Sequence, residues 1–165
     1  RSTLFPYTTL FRSQLMLLWN GGCHVHEKFS VEAIVKLKQE HPEAVVMAHL
    51  ECKAPVLAVA DVKGSTATML HYAQEHPEIK EYIIATEAGI LHELERNCPN
   101  VIFYPVPPEV SEGGIGCSCN ECEYMKMNTL KKIYNALKFG WPTVEVAEDI
   151  AKDAVKPIEK MLSLS

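Results

Sequence analysis

Six cysteines stand in this 165-residue chain, three of them packed into Cys117-Ser118-Cys119-Asn120-Glu121-Cys122. No signal-peptide pattern opens the sequence and the net charge is acidic, so the thiols read as metal ligands or redox groups rather than a secreted disulfide framework. Cys23, Cys52 and Cys98 lie far apart in sequence, and any single site must therefore be assembled by the fold from the Cys117 arm and an upstream cysteine. A closed zinc site needs four ligands. Cys117, Cys119 and Cys122 supply two or three, with His24 or His26 beside Cys23 available to complete the set. The same Cys-x-x-Cys spacing also suits a redox pair or one arm of an iron-sulfur site. One reading is thus a non-catalytic zinc-binding or thiol-redox domain built on Cys117, Cys119 and Cys122. Cys98, between Asn97 and Pro99, reads as an inert thiol at a helix end.

A second set of chemically capable residues follows short apolar runs. His49 and Glu51 are spaced i, i+2 after Ala44-Val45-Val46-Met47-Ala48, on one side of an extended segment, as an acid/base pair requires. The same spacing also fits a strand-end histidine beside a solvated glutamate. Ser65 and Thr66 follow Gly64 where a helix begins, and their hydroxyls and free amides suit a phosphate or carboxylate. A plain helix N-cap is the alternative there. Thr86 and Glu87 close the next extended run. In open α/β sheets ligands bind beyond the carboxyl ends of the strands, which is where all of these fall.

The elements that position them alternate. Ser30 is an N-cap for a helix running from Val31 to about Gln39, which Pro42 closes. Extended runs are predicted at residues 44–49, Val56 to Val59, Tyr82 to Ala85 and Val101 to Tyr104, and helices at Ala67 to Glu75 and Ala88 to Arg96. A long loop from Pro105 to Gly116 leads to Cys117. Met125 to Leu137 reads as a helix ended by Phe139-Gly140-Trp141-Pro142, and Val146 to Leu162 as a final amphipathic helix. The expected fold class is α/β: a three-layer αβα domain with a short parallel sheet, plus C-terminal helices.

The 47% hydrophobic content suffices for one compact domain. A net charge of -5 gives no electrostatic footprint for nucleic acid, and no run reaches the roughly 18 apolar residues of a membrane span. A soluble, cytoplasmic protein is expected. Arg1 to Ser13 carries no periodicity, and its Pro6-Tyr7-Thr8-Thr9-Leu10-Phe11-Arg12-Ser13 reads as a translated sequencing adapter, so it is set aside as a non-native extension. The remaining chain divides into 14–29, the end of a preceding domain with Cys23; 30–116, the α/β domain; and 117–165, a cysteine-bearing loop and helices.

Taken in order, Trp19-Asn20-Gly21-Gly22-Cys23-His24-Val25-His26, His49-Leu50-Glu51-Cys52, Ala60-Asp61 through Gly64-Ser65-Thr66, Thr86-Glu87-Ala88-Gly89 and Cys122-Glu123-Tyr124-Met125-Lys126-Met127-Asn128 resemble the successive motifs of the quinolinate synthase family. The resemblance runs from about Trp19 to the C-terminus. It departs at Leu50, where the family usually has proline. It implies a fragment of a three-domain pseudo-symmetric fold and a cytoplasmic transferase of NAD biosynthesis, condensing iminoaspartate with dihydroxyacetone phosphate to quinolinate. The implied cofactor is a four-iron four-sulfur cluster on three cysteines with one iron open. Cys23 and Cys122 match two of those ligands, and the third has no counterpart in this chain. Glu51 is then the acid/base, His49 binds substrate and assists, Ser65 and Thr66 hold a carboxylate or phosphate, and Met127 lies against the substrate cavity. Cys117 and Cys119 become auxiliary, possible partners in supply are L-aspartate oxidase or aspartate dehydrogenase, and the fragment alone is expected to be inactive.

Overall fold

The computed structural model describes residues 21–109 and 120–164. The extension at 1–13, the segment 14–20, the loop 110–116 and the cysteines Cys117 and Cys119 lie outside the described residues. The contacts separate the chain into two units, one reaching to Glu123 and one beginning at Tyr124.

In the first unit, Ser30 caps α1 (Val31–Glu40), its Oγ accepting from the Ala33 amide at 3.3 Å. There follow β1 (Val45–His49), α2 (Ala54–Val59), β2 (Val62–Gly64), α3 (Thr66–Glu75), β3 (Glu81–Ala85), α4 (Ile90–Asn97) and β4 (Ile102–Pro105). The four strands form one parallel sheet in the order β2-β1-β3-β4. Side chains alternate across it. Val46, Ala48, Ile83 and Ala85 face a core shared with Ile34 of α1 and Val56 of α2. Met47, Tyr82 and Ile84 face the other way, against Met69 and Ala73 of α3 and Leu94 of α4. Helices thus cover both faces, giving the three-layer αβα arrangement expected. Buried on both sides, β1 and β3 carry the near-continuous apolar runs of a parallel sheet.

Asp61 ties the start of β2 to β1: its carboxylate accepts from the Val46 amide at 2.8 Å, and its own amide donates to the Val46 carbonyl at 2.9 Å. At the other end of β2, Gly64 leaves room for Thr68, whose Cβ stands 2.5 Å from where a glycine replacement would place its own.

Two expectations are corrected. Val56 to Val59 is not extended but belongs to α2, because Pro55 sits in the first turn with its fixed φ suited to a helix start. The predicted helix from Met125 to Leu137 is broken: α5 (Glu123–Lys126) ends, and α6 (Leu130–Phe139) begins on a new cap, Thr129 Oγ1 accepting from the Lys132 amide. Gly140 ends α6 in the left-handed conformation, φ 62°, its amide donating to Ala136. The second unit is completed by α7 (Glu148–Leu162).

Candidate functional site

Strand order decides where a ligand can enter. From β1 the chain passes to β2 on one side and then to β3 on the other, so the connections diverge between β1 and β3 and open a crevice at their carboxyl ends. The residues there come from four segments.

The first is a 3-10 turn, His26–Lys28, entered from Cys23, with the Glu27 amide donating to the Cys23 carbonyl at 3.0 Å. Cys23 stands before this turn, three residues ahead of His26. The second is the turn that ends β1. Here the Cys52 amide donates to the His49 carbonyl at 2.9 Å, so His49-Leu50-Glu51-Cys52 closes as a four-residue turn. Leu50 occupies its second position, which favours proline, and the turn forms with leucine nonetheless. His49 and Glu51 therefore meet through a turn and not along an extended segment. The Glu51 amide donates to His49 Nδ1 at 3.3 Å, and Glu51 Oε2 lies 3.6 Å from the same nitrogen.

His26 occupies the centre. Its ring stacks on that of His49 at 4.5 Å and 19°, its Nε2 is 2.9 Å from Thr86 Oγ1 beyond β3, and its Nδ1 is 3.2 Å from Glu51 Oε2. His26 and Thr86 are 5% and 2% exposed, whereas the Glu51 side chain is 48% exposed. Although close to Glu51, Nδ1 makes no aligned hydrogen bond among the described residues, so the carboxylate approaches off the line a ring N–H would take. Burial lowers the His26 pKa, His49 lowers it further, and Glu51 opposes both. One ligand atom each of Cys23, His26 and Glu51 lies within 4.8 Å of the others.

Cys122 arrives from the fourth segment. Its amide donates to Glu87 Oε1 at 3.3 Å, while Glu87 Oε2 accepts from the Gly89 amide at 2.8 Å. The Ala88 amide donates to the Asn120 carbonyl at 3.0 Å, and Asn120 Nδ2 donates to the Val106 carbonyl. Cys122 is buried in the apolar cluster on the α1/α2 face, and Cys23 packs against that cluster. The group within 4.8 Å does not include Cys122.

Ser65 and Thr66 stand one strand over, at the end of β2, where Gly64 pairs with His49. Ser65 caps α3, its Oγ accepting from the Thr68 amide at 3.2 Å, so the N-cap role is filled; both residues remain exposed. Met127 lies in the second unit and is exposed. A cavity of about 540 Å3 lined by Glu40, His41, Glu43, Glu78, Lys80 and Glu81 lies at the amino ends of β1 and β3 and shares none of these residues.

Cys52 is a different kind of thiol. Its Sγ donates to the Ala85 carbonyl at 3.4 Å, bridging the ends of β1 and β3, and burial pushes its pKa up to about 12. The thiol should therefore resist alkylation at pH 8 while the partly exposed Cys23 is labelled, as mass mapping after iodoacetamide would read. Because the folded value lies above the unfolded one of about 9, this residue's stabilising contribution is complete below pH 9 and is lost as pH rises from 9 towards 12. Replacing Cys52 with Ala should flatten that alkaline loss in urea titrations; an unchanged profile would contradict the assignment.

The family model described as Quinolinate synthetase A protein matches residues 4–163. The chain belongs to this family. It is 45% identical to the quinolinate synthase of Nostoc sp. (strain PCC 7120) over 150 residues, covering 91% of this chain and 44% of that relative. Against the quinolinate synthase of Chloroherpeton thalassium the identity is 44% over 150 residues, covering 91% and 45%. Against that of Synechococcus sp. (strain ATCC 27144) it is 39%, with the same coverage. The chain thus spans less than half the length of these curated quinolinate synthases. No helix among the described residues is long and apolar enough to cross a membrane.

His26 is the site residue that sequence reasoning undervalued, weighing it only as a fourth zinc ligand. The Cys-x-x-His spacing from Cys23 is the signal the sequence offers, and the fold brings the pair together.

Proposed function

We propose that this chain forms part of a quinolinate synthase that condenses iminoaspartate with dihydroxyacetone phosphate to quinolinate. The observation that carries the reading is the convergence of Cys23, His26 and Glu51 at the β1/β3 crevice in a chain of this family. The fit to an iron-sulfur cluster rests on the donors: buried Cys122 and partly exposed Cys23 border one apolar cluster, and soft thiolates suit iron. They would hold a four-iron four-sulfur cluster together with a third cysteine from outside this chain. When bound, such a cluster supplies an open iron as a Lewis acid.

The chain's own residues do the proton work. Glu51, half exposed at the crevice mouth, accepts and returns protons during dehydration and ring closure. His49, its Nδ1 taken up by the Glu51 amide, offers Nε2 to a substrate oxygen. The side chains of Ser65 and Thr66 anchor a carboxylate or phosphate, and Met127 contributes an apolar wall. The remaining parts of the reading are a three-domain parent fold, a cytoplasmic setting, iminoaspartate supplied by L-aspartate oxidase or aspartate dehydrogenase, and inactivity of this chain by itself.

The test is a chimera: the matching 150-residue segment of the Nostoc relative is replaced by this chain's, and the product is reconstituted anaerobically with iron and sulfide. Quinolinate formation with an iron-sulfur absorption band is expected. A folded chimera that binds zinc without iron or sulfide and makes no quinolinate would favour the zinc or thiol-redox reading instead.

A further inference from the structure

His26 Nδ1 and Glu51 Oε2 lie 3.2 Å apart, with the nitrogen buried and no aligned hydrogen bond between them. Nε2, on the far side of the ring, is within 2.9 Å of Thr86 Oγ1. When Nε2 carries the proton and donates it to that hydroxyl, Nδ1 presents a lone pair to a carboxylate oxygen that also presents lone pairs. Two acceptors at that distance repel unless a proton or a metal cation stands between them, and the off-line approach of the carboxylate suits a metal better than a shared proton. The spacing matches what a cation would require, since tetrahedral zinc with nitrogen and oxygen ligands at about 2.0–2.2 Å sets neighbouring ligand atoms roughly 3.3 Å apart. Cys23 supplies the third donor, since one ligand atom each of Cys23, His26 and Glu51 lies within 4.8 Å of the others.

We propose that Cys23, His26 and Glu51 hold a single divalent transition-metal ion of the zinc type in the cluster-free protein, with one coordination position open. Thiolate, imidazole and carboxylate are the ligand types such an ion takes. Binding replaces the Cys23 thiol proton with the metal, and the proton leaves to solvent. Thr86 is the positioning residue. By accepting from Nε2 it selects the ring tautomer whose Nδ1 is free to bind, the role that hydrogen-bond partners of ligating histidines commonly fill. The ion and the proposed cluster share Cys23 and exclude each other at that sulfur. The inference concerns the chain by itself and does not depend on its reaction.

Cobalt(II) added anaerobically to the chain tests it. One equivalent should produce tetrahedral visible bands and a sulfur-to-cobalt charge-transfer band in the near ultraviolet, displaced by zinc. Cys23→Ser should abolish the charge-transfer band, and His26→Ala and Glu51→Gln should each weaken affinity more than tenfold. Thr86→Val should weaken it about tenfold, with Thr86→Ser restoring it. Because Glu51 is half exposed, its variant retains the fold and carries the test even if His26→Ala does not. The proposal is overturned if cobalt gives no such band, or if Glu51→Gln binds as tightly as the parent. Survival of the band in Cys23→Ser, with its loss on replacing Cys117, Cys119 and Cys122 by Ser, also overturns it and moves the ion to the other cysteines.

Discussion

Glu51→Gln in the reconstituted chimera is expected to lower kcat by about 10²–10⁴-fold, the range that a positioned acid/base contributes. Glutamine keeps the length and the polar amide but cannot exchange a proton, so binding should survive and KM should change little. The turn itself should also survive, because the 2.9 Å Cys52-to-His49 backbone bond and the 3.3 Å Glu51 amide bond to His49 involve no carboxylate atom. Steady-state kinetics with an anaerobic quinolinate assay would read this. A variant retaining a third or more of the parent's kcat would remove Glu51 from the proton-transfer role while leaving the family assignment intact.

Met47→Ala is expected to cost about 2–5 kcal/mol, the range for emptying a fully buried methionine site. Met47 is 0% exposed at the middle of β1, pairs with Val62 and Ile84 on either side, and packs against Met69 and Leu94 from the two helices on its face. Strands hydrogen-bonded on both sides cannot move inward to fill the gap, so little relaxation is available. Against a total of about 5–15 kcal/mol for ordinary domains, such a loss removes a large share of the stability. The urea midpoint followed by circular dichroism should fall with little change in slope. A loss below about 1 kcal/mol would mean that the α3/α4 face repacks in a way the present arrangement does not suggest.

These two residues mark what the sequence made legible. Met47 was readable because β1 is apolar on both faces, a pattern that a parallel sheet covered by helices produces. Glu51 was readable because it follows such a strand, and Ser30 and Ser65 because a serine before a helical period has a known use. Elsewhere the local signals ran out. Residues 54–59 form an apolar run too short for periodicity to separate strand from helix, and Pro55 was the better guide. Lys63, exposed within a three-residue edge strand, gave β2 no apolar pattern. Thr129 interrupts a stretch that otherwise reads as helix, and only its cap to Lys132 shows the restart. The centrality of His26 depends on Thr86, sixty residues away, and no local window contains both.

The carboxylate of Glu87 reaches two amides at once, that of Gly89 at the entry to α4 and that of Cys122 on the cysteine arm. Aspartate, one methylene shorter, would have to release one of them, and glutamine would offer only one oxygen for two donors. Asn120, held to Ala88 and Val106, completes the seam. Glu87 and Asn120 therefore yoke the cysteine arm to the entry of α4, so a change at either position is expected to alter where Cys122 is delivered.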